Sequence, residues 1–531
     1  MRKDDLGGRP FESVLIANRG EIAVRLIRAC REMGMQSIAV YSDADAGAAH
    51  VRLADRAVRI GPAAPTESYL RIDAVVQAAL DTGAQAVHPG YGFLAERAAF
   101  ARAVIDAGLT FVGPGPDTID AIGDKLHARR LARAVGVDAV PGTLEPARID
   151  RREGLAGVLA EADAIGFPLL VKAAAGGGGR GMRRVESAGD LAAALDSGSR
   201  EAASAFGDGA VYLEREVRPA RHIEVQLLGD ATGEVIAIGE RDCSLQRRHQ
   251  KLVEEAPAPG LTEADRRRLH ELAIRVARAA DLRNAATAEF LRAPDGAFFF
   301  LEVNTRLQVE HGVSELVAGI DIVREQFHLA AGRPLSAAAR SAGFRAANPT
   351  SHAIEVRLSA EDPGRDFAPA PGRVTRWTMP GGPGVRVDTA LEAGDLVPAE
   401  YDNLIAKIMV HAEDRPQAID RLRRALDEVE VAGIQTTLPF HRFVARNESF
   451  RAGDLSTGWV GEHWDGPAEF AQAARAAQVA AGLVAARSGP ARPGAAMVAA
   501  DGAPSAGRAT ADDTTAWRTA SLGDGVDRWP T

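Results

Sequence analysis

The chain has 531 residues, 46% hydrophobic and 25% charged, with a formal net charge of -9. That length exceeds one compact core and predicts a few lobes of roughly 100–200 residues. The acidic balance disfavours nucleic acid, which needs clustered positive charge. The start, MRKDDLGGRP, lacks a signal-peptide run and no later stretch reaches spanning length, so a soluble cytoplasmic protein without a membrane partner is expected.

The first third alternates strands and helices. Strands are expected at Val14–Asn18, Ser37–Ser42, Ala86–His88 and Thr110–Gly113, and Glu21–Met33 has helical spacing through Ile22, Val24, Leu26, Ile27 and Cys30. This βαβ alternation predicts a doubly wound parallel sheet. Asn18-Arg19-Gly20 and His88-Pro89-Gly90-Tyr91-Gly92 follow strand ends, where such sheets place ligands. No GxGxxG follows the first strand, so a dinucleotide site is not supported.

Beyond a hinge at Pro141-Gly142, an apolar strand over Phe167–Lys172 runs into AAAGGGGRGM. Four consecutive glycines favour bare, mobile backbone whose N–H groups wrap phosphate oxygens beside Lys172, although a flexible surface turn is the alternative. No Gly-Lys-Ser/Thr closes the run, so it is not a Walker A loop. Strands follow at Ala210–Glu216, His222–Leu228 and Glu234–Gly239, and a helix over Glu263–Ala280. The very polar run Glu240 to Lys251 reads, taken alone, as a surface loop or a nucleic-acid patch, and the charge balance argues against the second.

The hairpin Ala285–Asn304 carries the strongest chemical signal. Pro294-Asp295-Gly296 is a tight-turn signature, and a turn centred between Asp295 and Gly296 sets Glu289 opposite Glu302 on one face. Two facing carboxylates in an apolar hairpin are explained by a divalent metal, with Asn304 on the same face completing the ligand set. If the backbone stays extended, Arg306, Gln308 and Glu310 continue that face as a group suited to a small anion and a general base. Further strands at His352–Leu358, Gly372–Met379 and Leu404–Val410, and a helix near Pro416–Glu428, suggest a smaller α+β lobe. Within the first, Arg357 reads as an edge residue snorkelling to water. From about Gly466 the chain is Ala/Gly/Pro-rich beyond one helix at Glu469–Ala486 and reads as linker or as the edge of a further module.

Two compositional details remain. Cys30 and Cys243 lack companions at metal spacing and read as free thiols. Of 63 basic residues only five are lysine (Lys3, Lys125, Lys172, Lys251 and Lys407); chance survival accounts for one such as Lys3 at the terminus, whereas the three inside motifs point to a need for a compact ammonium.

In this order, IANRGEIAVRLIRAC, HPGYGFLAE, IGDK, VKAAAGGGGRGM, RHIEVQLLGD, ERDCSLQRRHQKLVEEAPAP, LEVNTRLQVEH, EVRLSAEDP and APGRV resemble the biotin carboxylase family of ATP-grasp enzymes over nearly all of residues 11–460. The resemblance implies an N-terminal domain at 11–124, an ATP-grasp domain at 125–333 with a lid at about 141–213, a C-terminal α+β domain at 350–458, and a partly disordered tail at 459–531. It implies that Lys125, Lys172, Gly178 and Gly179 meet ATP phosphates, that Glu214, Arg215, Glu216 and Val217 line the adenine, that His222 and His249 lie by the nucleotide, and that Gln246 is close to the substrate. Glu289, Glu302 and Asn304 would hold two Mg²⁺ or Mn²⁺ ions. Bicarbonate would sit on Lys251, Arg306, Gln308 and the Val309 backbone, Glu310 would deprotonate it to form carboxyphosphate, and Arg357 would stabilise the biotin enolate.

No lysine follows Lys407 and none is flanked by methionine, so a biotin carboxyl carrier protein in trans is expected, unless the chain is one portion of a longer subunit. The other implied partners are a second copy in a homodimer and a carboxyltransferase subunit; the helix bearing Arg19, Glu21, Arg25 and Arg28 is a candidate dimer interface. The expected setting is an acyl-CoA carboxylase; a pyruvate or urea carboxylase component, or a silent ATP-binding scaffold, are alternatives. Gly312 stands where proline is usual, and Ala175 precedes four glycines where many relatives have five.

Overall fold

The computed structural model describes residues 8–147, 152–174 and 182–488. Strands β1 (Ser13–Ile16), β2 (Gln36–Ser42), β3 (Arg56–Gly61), β4 (Ala86–His88) and β5 (Thr110–Phe111) form an all-parallel sheet in the order β3-β2-β1-β4-β5. The expected doubly wound sheet is present with one strand more than the sequence suggested. The additional one, β3, sits at the edge with most of its residues solvent-accessible, so it lacks the apolar run that marks β1 and β2. Helix α1 (Gly20–Glu32) buries Ile22, Val24, Leu26, Ile27 and Cys30.

A second unit contains β6 (Leu169–Ala173), β7 (Arg183–Val185) and β8 (Val211–Arg215) in the order β7-β6-β8. The segment between β6 and β7 holds Gly178 and Gly179, which lie outside the described residues. An eight-stranded antiparallel sheet then joins the middle of the chain to its last third. Its order is β13 (Phe298–Asn304), β12 (Asn284–Arg292), β9 (Arg221–Gly229), β10 (Val235–Arg247), β11 (Gln250–Ala256), β14 (His352–Ser359), then strands Leu404–Ala412 and Val385–Thr389. The helix Glu263–Ala279 packs on β9 and β10, and its start is fixed by a capping box between Thr262 and Asp265.

Three expectations need correction. The polar run from Glu240 is not a surface loop: β10 continues to Arg247, and Glu240, Arg241, Asp242, Ser244 and Gln246 are all buried. Charge pairing makes this tolerable. Glu240 accepts from Arg266 at 2.7 Å and pairs with His270 at 2.8 Å, while Asp242 accepts from Arg221 at 2.6 Å. The region Gly372–Met379 is two short strands, Gly372–Arg373 and Arg376–Thr378, rather than one. The face of α1 expected at an interface turns inward: Arg19 pairs with Asp45 at 2.6 Å, and Arg25 with Glu315 at 2.9 Å and Asp321 at 2.7 Å. Glu21 is buried as well, leaving Arg28 exposed.

The C-terminal core includes Ile408, Leu422, Phe440 and Phe450, and Trp459 and Val460 are buried in it, so packing continues past residue 458. The helix expected at Glu469–Ala486 spans Gly466–Ser488; the rest of the tail lies outside the described residues. Among the described residues no helix is long and apolar enough to cross a membrane.

Candidate active site

The three units meet around one large cleft of about 1120 Å³. Its wall includes Lys125, Lys172, Glu214, Arg215, Glu216, Val217, His222, Gln246, His249, Lys251, Glu289, Glu302, Asn304, Arg306, Gln308, Val309 and Arg357. Every described residue expected at the site lines this cleft except Glu310, which is fully buried behind Lys251 and Arg357.

Glu289 and Glu302 are paired across β12 and β13, and Asn304 pairs with Thr287. The route differs from the one expected. Near the turn Arg292 faces Phe298 and Phe290 faces Phe300, one position off the predicted register; an irregularity at Leu301 then restores Glu289 opposite Glu302. Glu289 accepts from Asn304 at 2.6 Å and Gln308 at 3.2 Å, pairs with His222 at 2.8 Å, and lies 3.2 Å from the Lys251 ammonium. Burial pushes the Glu289 carboxyl up, but Lys251 and His222 outweigh burial and hold it well below the ordinary carboxylate range. The same pairing raises His222 despite its own burial. Glu302 is more open and stands 3.5 Å from the Lys125 ammonium.

The chain leaves extended geometry after Asn304, contrary to the expected continuous alternation. A pinned loop brings the same side chains together instead. Arg306 donates to Gln308 at 2.8 Å and to Asn304 at 3.1 Å, and its Nε lies 3.0 Å from Glu96 of the N-terminal unit. His311 Nδ1 donates to the Gln308 carbonyl at 2.8 Å, and the ring is neutral because burial lowers its pKa well below the usual value. Glu310 accepts from Lys251 at 2.8 Å and Arg357 at 2.9 Å. Burial alone would favour the neutral acid, yet Lys251, Arg357 and Arg241 hold Glu310 ionised. Arg357 is thus no edge residue: β14 lies inside the sheet, and Arg357 also donates to Glu254 at 2.6 Å. The reason is electrostatic, since two carboxylates face it from within the protein.

On the opposite wall Glu214 accepts from Lys172, and from Arg129 at 2.7 Å. The Glu214 carboxylate therefore turns inward towards cations, and the backbone from Glu214 to Val217 borders the cleft. Arg248 and His249 form a two-residue turn between β10 and β11, with left-handed φ of 48° and 66°. Neither is glycine, and this strained turn sets His249 at the cleft wall.

Several functional neighbours escaped the sequence reading. Glu224 meets Lys251, and Arg241 donates to Glu224 at 3.1 Å and Gln226 at 2.8 Å. The period-two alternation His222, Glu224, Gln226 in RHIEVQ was the available signal, because three polar residues on one strand face require partners. Among the described residues, metal-ligating types gather as His222, Glu224 and Glu289 and as Glu224, Cys243 and Glu310, in each case with ligand atoms within 4.8 Å of one another. Neither group includes Glu302. Glu289 with Glu302 and the Asn304 amide oxygen still supplies hard oxygen donors beside two lysines, a donor set that fits Mg²⁺ bridging phosphates.

A cleft with two lysines opposite paired carboxylates, walled by a three-stranded lobe and a large antiparallel sheet, defines an ATP-grasp class of nucleotide-dependent enzyme. Three family descriptions match in succession: "Biotin carboxylase, N-terminal domain" over residues 10–119, "Carbamoyl-phosphate synthase L chain, ATP binding domain" over 124–338 and "Biotin carboxylase C-terminal domain" over 355–462. The chain is 45% identical over 460 residues to a pyruvate carboxylase subunit of Methanothermobacter thermautotrophicus, covering 85% of this chain and 90% of that one. It is 46% identical over 460 residues to a biotin-dependent acyl-coenzyme A carboxylase alpha3 subunit of Mycobacterium leprae, covering 86% and 75%. It is 47% identical over 450 residues to a biotin carboxylase of Allochromatium vinosum, covering 85% and 98%. Among solved structures, the biotin carboxylase domain dimer of Hydrogenobacter thermophilus 2-oxoglutarate carboxylase, in complex with MgADP, ADP and bicarbonate, matches with a TM-score of 0.81 at 42% identity, covering 85% of this chain and 98% of that one. The chain belongs to the biotin carboxylase family.

Proposed function

We propose that this chain uses ATP and bicarbonate to carboxylate biotin borne on a carrier protein, with the side chains of the cleft in the following roles. Lys125 and Lys172 neutralise the phosphates, and Lys172 exchanges its Glu214 partner for phosphate oxygens. The adenine lies along Glu214 to Val217, with Gln246 and His249 on the adjoining wall. Glu289, Glu302 and Asn304 would hold Mg²⁺, which supplies charge neutralisation to the transferring phosphoryl group.

Lys251, Arg306, Gln308 and the Val309 backbone form the anion site for bicarbonate. A carboxylate as strongly ionised as Glu310 is a weak base before bicarbonate enters. An entering anion takes up part of the positive field of Lys251 and Arg357, which raises the proton affinity of Glu310 at the moment it is needed. Glu310 takes the bicarbonate proton, a bicarbonate oxygen bonds to the γ-phosphorus, and the bond to the β-phosphate oxygen breaks to release ADP. The resulting carboxyphosphate divides into CO₂ and phosphate, and the phosphate removes the ureido N–H proton of biotin. Arg357 stabilises the enolate, whose nitrogen attacks CO₂.

The observation that carries this reading is Glu310 held between Lys251 and Arg357, beside Arg306 and on the same cleft as Lys125 and Lys172. We place the half-reaction in an acyl-CoA carboxylase, where a carboxyltransferase partner sets the final acceptor, and expect a homodimer, as in the Hydrogenobacter structure. The test is ADP release with MgATP, omitting bicarbonate and free biotin in turn. Turnover should require bicarbonate, rise with biotin, and fall roughly 100-fold or more in Arg306→Ala, the scale of a lost oxyanion donor. Hydrolysis indifferent to both substrates would exclude the assigned chemistry.

A further inference from the structure

Four of the five lysines are accounted for: Lys125, Lys172 and Lys251 line the cleft, and Lys3 lies outside the described residues. The fifth, Lys407, stands on strand Leu404–Ala412 of the C-terminal lobe and is 0% exposed. Its ammonium donates to the carbonyl of Val309 at 2.9 Å, lies 3.4 Å from Glu21 on α1, and 3.8 Å from Asp388. A buried ammonium is expensive unless paired and hydrogen-bonded. Here its partners come from the N-terminal helix α1, the loop after β13 and the C-terminal lobe; the ammonium also lies over the Tyr91 ring, 5.9 Å from its centroid, and its neutral hydrogen-bond acceptor is a peptide of the loop that carries the anion site and the base.

That loop is held at two successive peptides. His311 Nδ1 donates to the Gln308 carbonyl, which orients the peptide bearing the Val309 N–H. Lys407 holds the Val309 carbonyl, which orients the peptide bearing the Glu310 N–H. A planar guanidinium makes this end-on contact with a carbonyl flanked by carboxylates less well than a compact ammonium does, consistent with lysine persisting in a chain that otherwise favours arginine.

We propose that Lys407 is a positioning residue for carboxylation: by fixing the Val309 carbonyl it sets the Glu310 carboxylate between Lys251 and Arg357, and it does so through contacts that exist only when α1, the loop after β13 and the C-terminal lobe are packed together. The inference rests on the functional reading above. It differs from a purely structural role in its expected kinetics, because it acts on the bicarbonate step and leaves nucleotide binding alone.

The experiment uses the full chain carrying Lys407→Met, Lys407→Arg, or the double change Glu21→Gln with Lys407→Met. The double change leaves no unpaired Glu21 carboxylate, so it folds where the single change does not. Thermal melting, MgATP Kd, and kcat and KM for bicarbonate in ADP release are measured for each. Lys407→Met, or the double variant, should lose roughly 10- to 100-fold in kcat/KM for bicarbonate, the cost of a displacement of about 1 Å at a reacting group. Its MgATP Kd should stay within about twofold of the parent, and Lys407→Arg should recover part of the bicarbonate loss by restoring a donor. Unchanged bicarbonate kinetics, an equal loss of MgATP affinity, or failure of both neutral variants to fold would overturn the inference. A parent chain without bicarbonate-dependent turnover overturns the functional reading itself, and this inference with it.

Discussion

At the scale of single residues, some buried carboxylates are kept ionised by the cations paired with them. Glu255 on β11 shows the effect away from the cleft. It pairs with His352 at 2.7 Å and accepts from Arg415 at 2.7 Å and 3.0 Å. Burial raises its pKa, but His352 and Arg415 outweigh burial and bring it from 4.5 to about 2. A folded-state value below the unfolded one stabilises the protein above pH 4.5, and that contribution disappears as pH falls towards about 2. Glu255→Gln should therefore cost about 3 kcal/mol near neutral pH, the low end for a broken buried pair because Arg415 keeps the Phe450 and Arg451 carbonyls. The variant should also lose stability less steeply in acid than the parent. Urea unfolding at about pH 7 and about pH 3 checks both; equal acid slopes in the two chains would refute the assignment. None of this was legible in the sequence, since nothing in VEEAPAP names partners about 100 and 160 positions away, whereas Glu289 and Glu302 could be paired because a turn joins them.

At the scale of elements, alternation and turn chemistry located most strands, and the failures share a cause. The run after Glu240 is polar by composition yet buried, because its charges are matched by neighbours on β9 and the helix Glu263–Ala279 rather than by water. Hydrophobic patterning cannot distinguish such a strand from a loop. The Gly312 departure is explained by the opposite neighbour. A Cβ at Gly312 would lie 2.2 Å from Met409 Sδ, so Met409 occupies the space that a larger residue at 312 would need. Met409 is fully buried beside Val313 and Ala353. Gly312→Ala should then cost about 1–3 kcal/mol by overpacking. Adding Met409→Val, which removes the sulfur, should recover much of that loss, giving a coupling of about 1 kcal/mol in a double-mutant cycle. Strict additivity would show that the two positions do not compete for one space.

At the scale of the whole molecule, the sequence indicated the order of the units and the residues of the cleft, while the way the units are fastened together was hidden. The fastening is ionic, with Arg25, Glu315 and Asp388 buried and Asp321 and Arg386 half-buried. Arg25 on α1 reaches Glu315 and Asp321; Glu315 in turn accepts from Arg386 at 2.7 Å, which pairs with Asp388 at 2.7 Å. This chain runs from the N-terminal unit through the helix His311–Ala318, directly after the base, to the strand Val385–Thr389. Read alone, Arg25 looks like a surface charge on an amphipathic helix; only the packed units reveal its partners. Removing it leaves Asp321 without its cation and Glu315 with one instead of two, and Arg25→Met should cost about 3–5 kcal/mol, as for other broken buried pairs. Because Arg25 and Glu315 are shielded from solvent, most of the loss should persist between low salt and about 0.5 M salt, where the Debye length is only a few Å. The surface pair Arg59–Asp43 provides the contrast, since both side chains are 53% exposed. Arg59→Met should produce no measurable loss at high salt. Denaturant unfolding of both variants at the two salt concentrations separates the cases, and a salt-sensitive loss in Arg25→Met would place this network in solvent and remove it as the link between the units.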